Sequence, residues 1–324
     1  MRICSLLPSA TEIVCALGMG ESLVGVSHEC DYPVEVARIP KVTRSNIPPG
    51  LTSSEIDSTV SSTLQNSGSL YELDLPQLES LNPDLILTQR LCDVCAVSFD
   101  RVQEAVKALP SRPRVMNLEP TSLADIFSNI QAVARKIGVE AAGEMVTSTL
   151  KARVEAVRRK TAALSQRPRV FCMEWVDPPY CGGHWMKELV EIAGGRDDLA
   201  RLHQPSTRID WKRVLEFDPE IIVLTCCGLE LQRCEQERAA FLQFEGASGL
   251  AAVTNDRVFA TDGSHFFARP GPRIVESIEI LAHLIHPELF PPPPLAEAFS
   301  PGFGAVPVER RREAASQVTI PSQS

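Results

Sequence analysis

The chain has 324 residues, of which 44% are apolar and 23% are charged, a balance typical of a globular protein whose core is large enough to need no disulfide bonds. Its net charge of −9 argues against binding to nucleic acid or to an anionic membrane surface, because phosphate neutralisation requires a basic face. No segment approaches the roughly 20 apolar residues of a membrane span, so membrane insertion is not expected.

The first residues predict the compartment. The opening Met1-Arg2 leads directly into an apolar run, Ile3 to Leu7, which ends at Pro8. A secretory signal has a longer apolar stretch and a small-residue cleavage site, which this run does not fit. We therefore expect a cytoplasmic protein whose ten cysteines are reduced thiols and not a disulfide framework.

Apolar strands alternate with amphipathic helices through the first 120 residues. Ser9 is the expected cap of the first helix, with Thr11 and Glu12 in its first turn. This alternation predicts a parallel sheet with helices on both faces. A long loop is expected before residue 75. The predicted strands are 2–7, 23–26, 85–88 and 114–118, and the predicted helices are 9–17, 75–81 and 99–109.

The periodicity becomes helical between residues 121 and 166. Apolar residues recur at helical spacing from Ile126 to Val157, and the spacing slips near Gly138 and Gly143. We expect a connecting helix between two domains, bent or broken near these glycines.

The second half repeats the order of parts found in the first. Asn82-Pro83-Asp84 precedes one buried strand, and Asp218-Pro219-Glu220 precedes another. The repeat predicts two α/β lobes, residues 1–120 and 167–290, with a ligand cleft between them. Residues 291–324 are rich in proline and basic residues and predict a disordered tail. The predicted strands are 170–174, 221–226 and 258–261, and the predicted helices are 184–193, 210–215, 230–242 and 272–285.

The loops that follow the strands are where a ligand should meet these lobes. They hold four of the six tryptophan and tyrosine residues of the chain, which could form the walls for a large flat ligand. The candidate ligand-binding residues in these loops are Ser9, Thr11, His28, Tyr32, Gln89, Arg90, Trp175, Tyr180, His184, Trp185, Cys227, His265, Phe266 and Arg269.

Metal-binding residue types occur in two loops of the first lobe. His28, Cys30, Cys92 and Cys95 could form a tetrahedral zinc site, and the two cysteines of the Cys-x-x-Cys motif could instead be a redox pair. His28 could also bind the metal of a ligand axially. The remaining alternative is a hydrogen-bonded histidine beside reduced loop cysteines.

Several segments together resemble one known family. The opening Arg2-Ile3-Cys4-Ser5-Leu6-Leu7-Pro8-Ser9-Ala10-Thr11-Glu12, then Asp31-Tyr32-Pro33, the two proline-acid strands and Pro272-Arg273 are similar to vitamin B12 and iron-siderophore substrate-binding proteins. The resemblance covers about residues 1–290 and is closest to the cobalamin-binding branch. It implies an α/β fold of class III periplasmic-binding-protein type, in which two lobes with parallel sheets are joined by a long helix. It also implies non-catalytic binding of a corrinoid such as cobalamin, or of another metal chelate, between the lobes.

Two features depart from the family pattern. Delivering members place one acid on each lobe to dock on an ABC permease, and the corresponding places here hold Pro76 and Lys212. Acids lie close by in sequence, at Glu72, Asp74 and Asp210. In addition, Gln89-Arg90 stands where cobalamin binders often have an aromatic residue. These departures argue against permease docking and leave other chelates open.

The expected function is therefore sequestration or hand-off of a small-molecule metal chelate by a non-catalytic cytoplasmic protein. One alternative is an enzyme that uses a zinc or redox site at His28, Cys30, Cys92 and Cys95. A second alternative is the substrate-binding component of an ABC importer.

Overall fold

The computed structural model describes residues 1–66, 70–90, 97, 99–295 and 298–300. Its N-terminal lobe has a four-stranded parallel sheet and a two-stranded antiparallel ribbon. In chain order the elements are β1 (Ile3–Ser5), α1 (Pro8–Ala16), β2 (Leu23–Val26), β3 (Thr43–Ser45), α2 (Ser53–Asn66), β4 (Tyr71–Leu73), α3 (Leu75–Leu81), β5 (Leu85–Thr88), α4 (Phe99–Ala108) and β6 (Arg114–Asn117). The sheet order is β2-β1-β5-β6, and β3 pairs with β4.

The C-terminal lobe has a five-stranded sheet and follows two helices that connect it to the first lobe. In chain order the elements are α5 (Leu123–Ile137), α6 (Glu140–Thr161), β7 (Val170–Trp175), β8 (Tyr180–Cys181), α7 (Met186–Ile192), β9 (Thr207–Arg208), α8 (Trp211–Phe217), β10 (Ile221–Leu224), α9 (Leu231–Phe241), α10 (Ala251–Thr254), β11 (Val258–Ala260) and α11 (Ile274–Ile285). The order is β11-β10-β7-β8-β9, and β8 and β9 run antiparallel, so this sheet is mixed and not wholly parallel as predicted.

The repeated proline-acid segments make equivalent hydrogen bonds in both lobes. In the first lobe the Asp84 carboxylate accepts the backbone N–H of Arg2 at 2.7 Å, and the Arg2 side chain donates to the end of α3. In the second lobe the Glu220 carboxylate accepts the backbone N–H of Arg169 at 2.9 Å, and the Arg169 side chain donates to the end of α8. Each repeat therefore joins a helix end to the start of two neighbouring central strands.

The connecting segment is two helices and not one. Helix α5 ends at Gly138, whose φ of 79° lies in the left-handed region, as the slip in spacing predicted. Helix α6 then folds back on α5, and Gln131 Nε2 donates to Thr147 Oγ1 at 3.2 Å. Gly143 lies inside α6, where the close approach of Ala134 leaves no room for a side chain. Neither the 22-residue α6 nor any other helix in the described ranges is long and apolar enough to cross a membrane.

One apolar core is shared by both lobes, and we call it the hinge core. It joins α1, α5, α6, α7 and α11, represented by the buried residues Ile13, Ile126, Val154, Leu189 and Ile278. Two further clusters each belong to a single lobe. Burial of apolar surface therefore joins the lobes permanently on the hinge side.

Two local expectations for the first lobe were wrong. Helix α1 begins at Pro8, whose fixed φ suits the first helical position, and Ser9 lies inside the helix without capping it. The stretch between β2 and α3, expected to be a long loop, contains β3, α2 and β4. Their serine- and threonine-rich sequence gives little hydrophobic periodicity, because α2 is largely exposed.

Part of the predicted disordered tail is ordered. Phe299 forms a bridge with Thr261, and the backbone of Ser300 donates to Ala260 O at 2.9 Å. Ala298 is buried against the hinge core. These residues therefore extend the edge of the C-terminal sheet, and residues 301–324 lie outside the described part of the chain.

We predict that Gly143→Ala destabilises the protein although alanine favours helices by roughly 1 kcal/mol over glycine. The new Cβ would lie 2.5 Å from the Ala134 Cβ, so α5 and α6 must separate. Overpacking of this kind typically costs about 1–3 kcal/mol, which thermal unfolding would measure. Gly249→Ala is the control, because a Cβ there meets nothing within 4 Å. A melting temperature above that of the parent would contradict the close crossing of the two helices.

Candidate functional site

A buried carboxylate of the first lobe binds two guanidinium groups of the second. Glu12, on α1, is contacted by Arg269 Nη1 at 3.2 Å and by Arg273 Nη2 at 2.6 Å. Arg269 also forms a two-pronged pair with Asp31, at 2.6 and 2.9 Å. Such charge-assisted, bidentate contacts fix orientation as well as distance. We call these four residues the arginine bridge.

His265 extends the bridge. Its Nε2 lies 3.0 Å from Asp31 Oδ2, and its Nδ1 lies 2.6 Å from Asp262 Oδ2. Hydrogen bonds to Asp262 and Asp31 raise the pKa of His265 to about 9, so its imidazole is charged at neutral pH. Burial alone would raise the pKa of Asp31, but hydrogen bonds from His265 and Arg269 hold it well below its ordinary value. The predicted ligand residues His265 and Arg269 thus bind carboxylates in this structure.

Two predicted aromatic walls pack on the bridge. The Arg273 guanidinium carbon lies 4.0 Å from the ring centre of Tyr32 and 5.3 Å from that of Phe266. Tyr32 is 47% exposed, whereas Phe266 is buried. Both rings therefore stabilise the cation that holds Glu12, in an arrangement favourable for cation–π contacts.

A second contact between the lobes is made by α2. The Trp175 indole N–H donates to Ser53 O at 3.1 Å, and the Tyr180 hydroxyl donates to Asp57 Oδ1 at 3.4 Å. Arg208 forms an ion pair with Asp57 at 2.5 Å. Trp175 and Tyr180, predicted to face the ligand, thus touch a helix of the opposite lobe.

His28 follows β2 and is half-buried. Its Nδ1 lies 2.7 Å from Thr43 Oγ1, which also receives the His28 backbone N–H and donates its single proton to Ser27 Oγ. This arrangement favours Nδ1 as the donor, which leaves the lone pair on Nε2, 3.9 Å from Glu29 Oε1. Burial, and then the charge of Lys41, lower the pKa of His28. The side chain is thus a neutral imidazole in the tautomer that can bind a metal through Nε2.

Burial affects two carboxyl groups near strand ends. It raises the pKa of Glu29, although Arg269 and a hydrogen bond from Tyr71 oppose the shift. Burial also raises the pKa of Glu174, whose Oε1 accepts the backbone N–H of Gly183 at 3.0 Å. Carboxyl oxygens accept hydrogen bonds, so both groups can serve a donor on a ligand.

The other predicted site residues differ in accessibility. Gln89 is buried, and Arg90 is exposed and pairs with Asp100 at 3.1 Å. Cys227 is half-buried at the end of β10, and its backbone N–H donates to Glu174 O at 3.2 Å. These residues lie at the ends of β5, β7 and β10, where the sequence placed the cleft.

His184 and Trp185 stand just before α7. The Trp185 indole N–H donates to Phe267 O at 3.2 Å, and the ring is buried. The His184 ring stacks on it at 5.4 Å, and its Nε2 is a buried nitrogen without a hydrogen-bond partner. Trp185 therefore acts as a packing residue behind the loop that carries the arginine bridge.

Ser9 and Thr11 were predicted to bind the ligand, but both side chains are buried. Ser9 is buried beneath Gly271. Thr11 has no exposed surface, and its hydroxyl donates to Ser5 Oγ at 2.8 Å and lies 3.1 Å from Cys30 Sγ. Ser9 thus lies at the contact between the lobes, Thr11 lies in the interior of the first lobe, and the α1 side chain that binds the second lobe is Glu12.

The zinc hypothesis gains no support from the described residues. Cys30 is buried, its Sγ lies 3.1 Å from Thr11 Oγ1, and burial raises its pKa to about 11. No group of three or more His, Cys, Asp and Glu side chains within the described ranges is arranged to hold a metal ion. Cys92 and Cys95 lie outside the described residues. The eight cysteines that the structure describes are free of disulfide bonds.

Sequence reasoning did not select Glu12, Asp31, Arg273, Ser53 or Asp57 as site residues. The partners of Glu12 are 257 and 261 positions away, so no local pattern connects them. A usable signal was present nonetheless. Glu12 is a charge on an otherwise apolar helix face, and a charge on such a face requires a partner when it is buried.

Comparison with known proteins places this two-lobed arrangement in a family. A sequence model described as "Periplasmic binding protein" matches residues 3–264. The chain belongs to the periplasmic binding protein family. It is 25% identical over 294 residues to an ABC transporter substrate-binding lipoprotein of Bacillus subtilis, covering 89% of this chain and 81% of the relative. It is 24% identical over 284 residues to the vitamin B12-binding protein of Vibrio cholerae, covering 86% of each.

Solved structures show the same fold. The periplasmic vitamin B12 binding protein of Vibrio cholerae superposes with a TM-score of 0.63 at 22% identity, covering 88% of this chain and 96% of that one. A periplasmic heme binding protein from Pseudomonas aeruginosa gives a TM-score of 0.69 at 19% identity, covering 93% and 97%. The predicted α/β fold of class III periplasmic-binding-protein type is thereby confirmed.

Family membership also decides two broader predictions. The family consists of non-catalytic proteins that bind small molecules and work with ABC permeases, which agrees with the expectation of a binding protein. The predicted cytoplasmic location is wrong, since the relatives are periplasmic proteins and a lipoprotein, which are extracytoplasmic. The error arose from giving the first residues more weight than the family resemblance.

We predict that the stability contributed by His265 falls at alkaline pH. Its folded pKa of about 9 lies above the ordinary value of 6.5. The contribution is therefore fully present below pH 6.5 and is lost as pH rises through about 9. Allowing for solvent screening, we expect a loss of about 1–2 kcal/mol relative to His265→Gln.

Urea unfolding of both proteins between pH 6 and 10 measures this difference. His203→Gln, at an exposed histidine outside the bridge, is the control. Parallel stability profiles for the parent and His265→Gln would contradict the ion pairs with Asp31 and Asp262.

Proposed function

We propose that the cleft binds a corrinoid, and that the protein is the extracytoplasmic substrate-binding component of an ABC importer. The single observation that carries the choice of ligand is the neutral His28 imidazole, whose Nε2 lone pair is available to a metal. The cobalt of a corrinoid can accept an imidazole nitrogen as an axial ligand.

The charges around the cleft favour a ligand without strong negative charge. A heme with propionates or an anionic ferric chelate requires free cations in the site. The described cations at the two lobe contacts and at the end of β5 each have a carboxylate partner, and Lys41, near His28, donates to the carbonyl of Cys30. These pairs are Arg269 and Arg273 with Glu12, His265 with Asp31, Arg208 with Asp57, Arg233 with Glu237, and Arg90 with Asp100.

Carboxyl groups near the strand ends suit a rim of amides. Corrinoids carry amide side chains, whose oxygens accept hydrogen bonds and whose nitrogens donate them. The carboxyl oxygens of Glu29 and Glu174 can accept hydrogen bonds from these amide nitrogens.

The surface also suits a partner that contacts both lobes. Asp74 is the N-cap of α3 and Asp210 is the N-cap of α8, so the two acids occupy equivalent places in the two lobes. Both residues are exposed. They supply one acid on each lobe, as the family's docking pattern requires, although neither is at the aligned positions Pro76 and Lys212.

We predict that aquocobalamin binds saturably to the purified protein with a shift of its visible bands, because the His28 Nε2 replaces the water on cobalt. His28→Gln should abolish the band shift and weaken binding by about tenfold, equivalent to about 1.4 kcal/mol. Absorption titration measures both effects, and His203→Gln serves as the matched control.

Heme and a ferric siderophore are titrated in parallel. Tighter binding of either anionic chelate than of cobalamin would overturn the choice of ligand. An unchanged band shift in His28→Gln would overturn the role of His28 while leaving corrinoid binding intact.

A further inference from the structure

The start of α2 reaches across the cleft in a way that the binding function alone does not explain. We call residues 51–57 the clasp. We propose that the clasp latches the two lobes together outside the hinge core, so that ligand exchange requires its release from the C-terminal lobe. The inference concerns the regulation of the proposed ligand site, and its consequence for ligand therefore rests on the proposed function.

The clasp binds the C-terminal lobe through polar contacts. Ser53 is the centre, since its carbonyl accepts from Trp175 at 3.1 Å and its buried hydroxyl donates to Glu237 Oε2 at 2.8 Å. Arg233 donates to the carbonyl of Leu51 at 3.0 Å and also holds Glu237 at 2.8 Å. These contacts reach β7 and α9.

A second group of contacts lies one turn further along α2. Asp57 accepts from Tyr180 at 3.4 Å and pairs with Arg208 at 2.5 Å. Arg208 in turn donates to the Tyr180 hydroxyl at 3.3 Å. The clasp thus also holds β8 and β9, at the edge of the second sheet.

Apolar contacts on both sides of the clasp attach it to its own lobe. Ile47, Val60 and Leu64 pack against the apolar cluster of the N-terminal lobe. The helix start is rigid, because Thr52 and Glu55 form a reciprocal capping box. The clasp therefore moves with the first lobe and is held to the second by hydrogen bonds and ion pairs.

The difference between the two lobe contacts determines which one opens. Separation at the hinge core would expose buried apolar side chains from five helices. Release of the clasp exchanges polar partners for water, and the net contribution of each such hydrogen bond is small. The arginine bridge adjoins the hinge core, because Ile13 and Ile274, which follow Glu12 and Arg273 in the chain, belong to that core. Opening by rotation about these two contacts with release of the clasp therefore costs less than separation at the hinge core.

The test uses the double variant Ser53→Ala/Asp57→Ala in the full-length protein. The clasp contacts are present in the ligand-free protein, so their loss should speed opening with and without ligand. We expect the association and dissociation rate constants of aquocobalamin to rise together, about five- to tenfold, with Kd nearly unchanged. Stopped-flow absorption measures both rates. In ligand-free protein, small-angle X-ray scattering should show a larger radius of gyration.

Arg44→Gln is the matched control, because Arg44 pairs with Glu72 within the same ribbon and does not cross the cleft. Parent-like rates and scattering in the double variant would overturn the clasp. A rise in the dissociation rate alone would also overturn it, since the clasp would then form only after binding. If the parent bound no corrinoid, the proposed function would fail, and the scattering of ligand-free protein would still decide whether the clasp holds the lobes together.

Discussion

The relative placement of the two lobes depends on the buried carboxylate of Glu12. A charge inside a protein is very unfavourable unless partners replace its hydration, and here two guanidinium groups of the other lobe do so. Removal of either arginine would leave Glu12 with one guanidinium in place of two, so orientations that keep both Arg269 and Arg273 on Glu12 are favoured. The network contributes specificity of arrangement more than stability. It also fixes Asp31 and His265, and with them one wall of the cleft.

The two other contacts between the lobes, the hinge core and the clasp, rely on different kinds of interaction. The hinge core contributes non-directional burial of apolar surface, whereas the clasp contributes directional polar contacts. A protein that must open and close needs both kinds of contact, in different places. Apolar contact on one side preserves the pairing of the lobes, and polar contact on the other can break and reform in water.

The sequence was a good guide to the fold because the fold rests on repeated local rules. Buried strands such as β5 and β10, each preceded by a proline and an acid, were found close to their observed bounds. The break at Gly138 was also visible, since glycine can adopt the left-handed conformation that ends α5. Helix α2 was not predicted, because its serine- and threonine-rich sequence has few apolar residues at helical spacing.

The site was harder to predict than the fold. The strand ends pointed to loops at the contact between the lobes, but they did not reveal what each side chain touches. Trp175 and Tyr180 have the composition expected of a ligand wall, yet both contact α2, whose existence the sequence did not suggest. Thr11 lies one residue before Glu12, and a helix turns by about 100° per residue, so Glu12 faces the other lobe while Thr11 faces the interior. Long-range pairs of this kind follow from the tertiary fold and leave no local signature.

The candidate docking acids lie close in sequence to elements that the clasp involves: Asp74 follows the strand after α2, and Asp210 follows the strand that holds Arg208. This proximity connects ligand release to the proposed permease contact. Strand β4 follows α2 in the chain, pairs with β3 and leads directly into Asp74. Strand β9 holds Arg208, the partner of Asp57, and is followed two residues later by Asp210. A partner that binds both acids and draws them apart would pull β9 away from the lobe that carries α2, and the Asp57–Arg208 pair joins α2 to β9. A ligand stabilises closure only by binding the closed form better than the open one. By the same linkage, a partner that binds the open form better would weaken ligand binding, and the pair that it must break is Asp57 with Arg208.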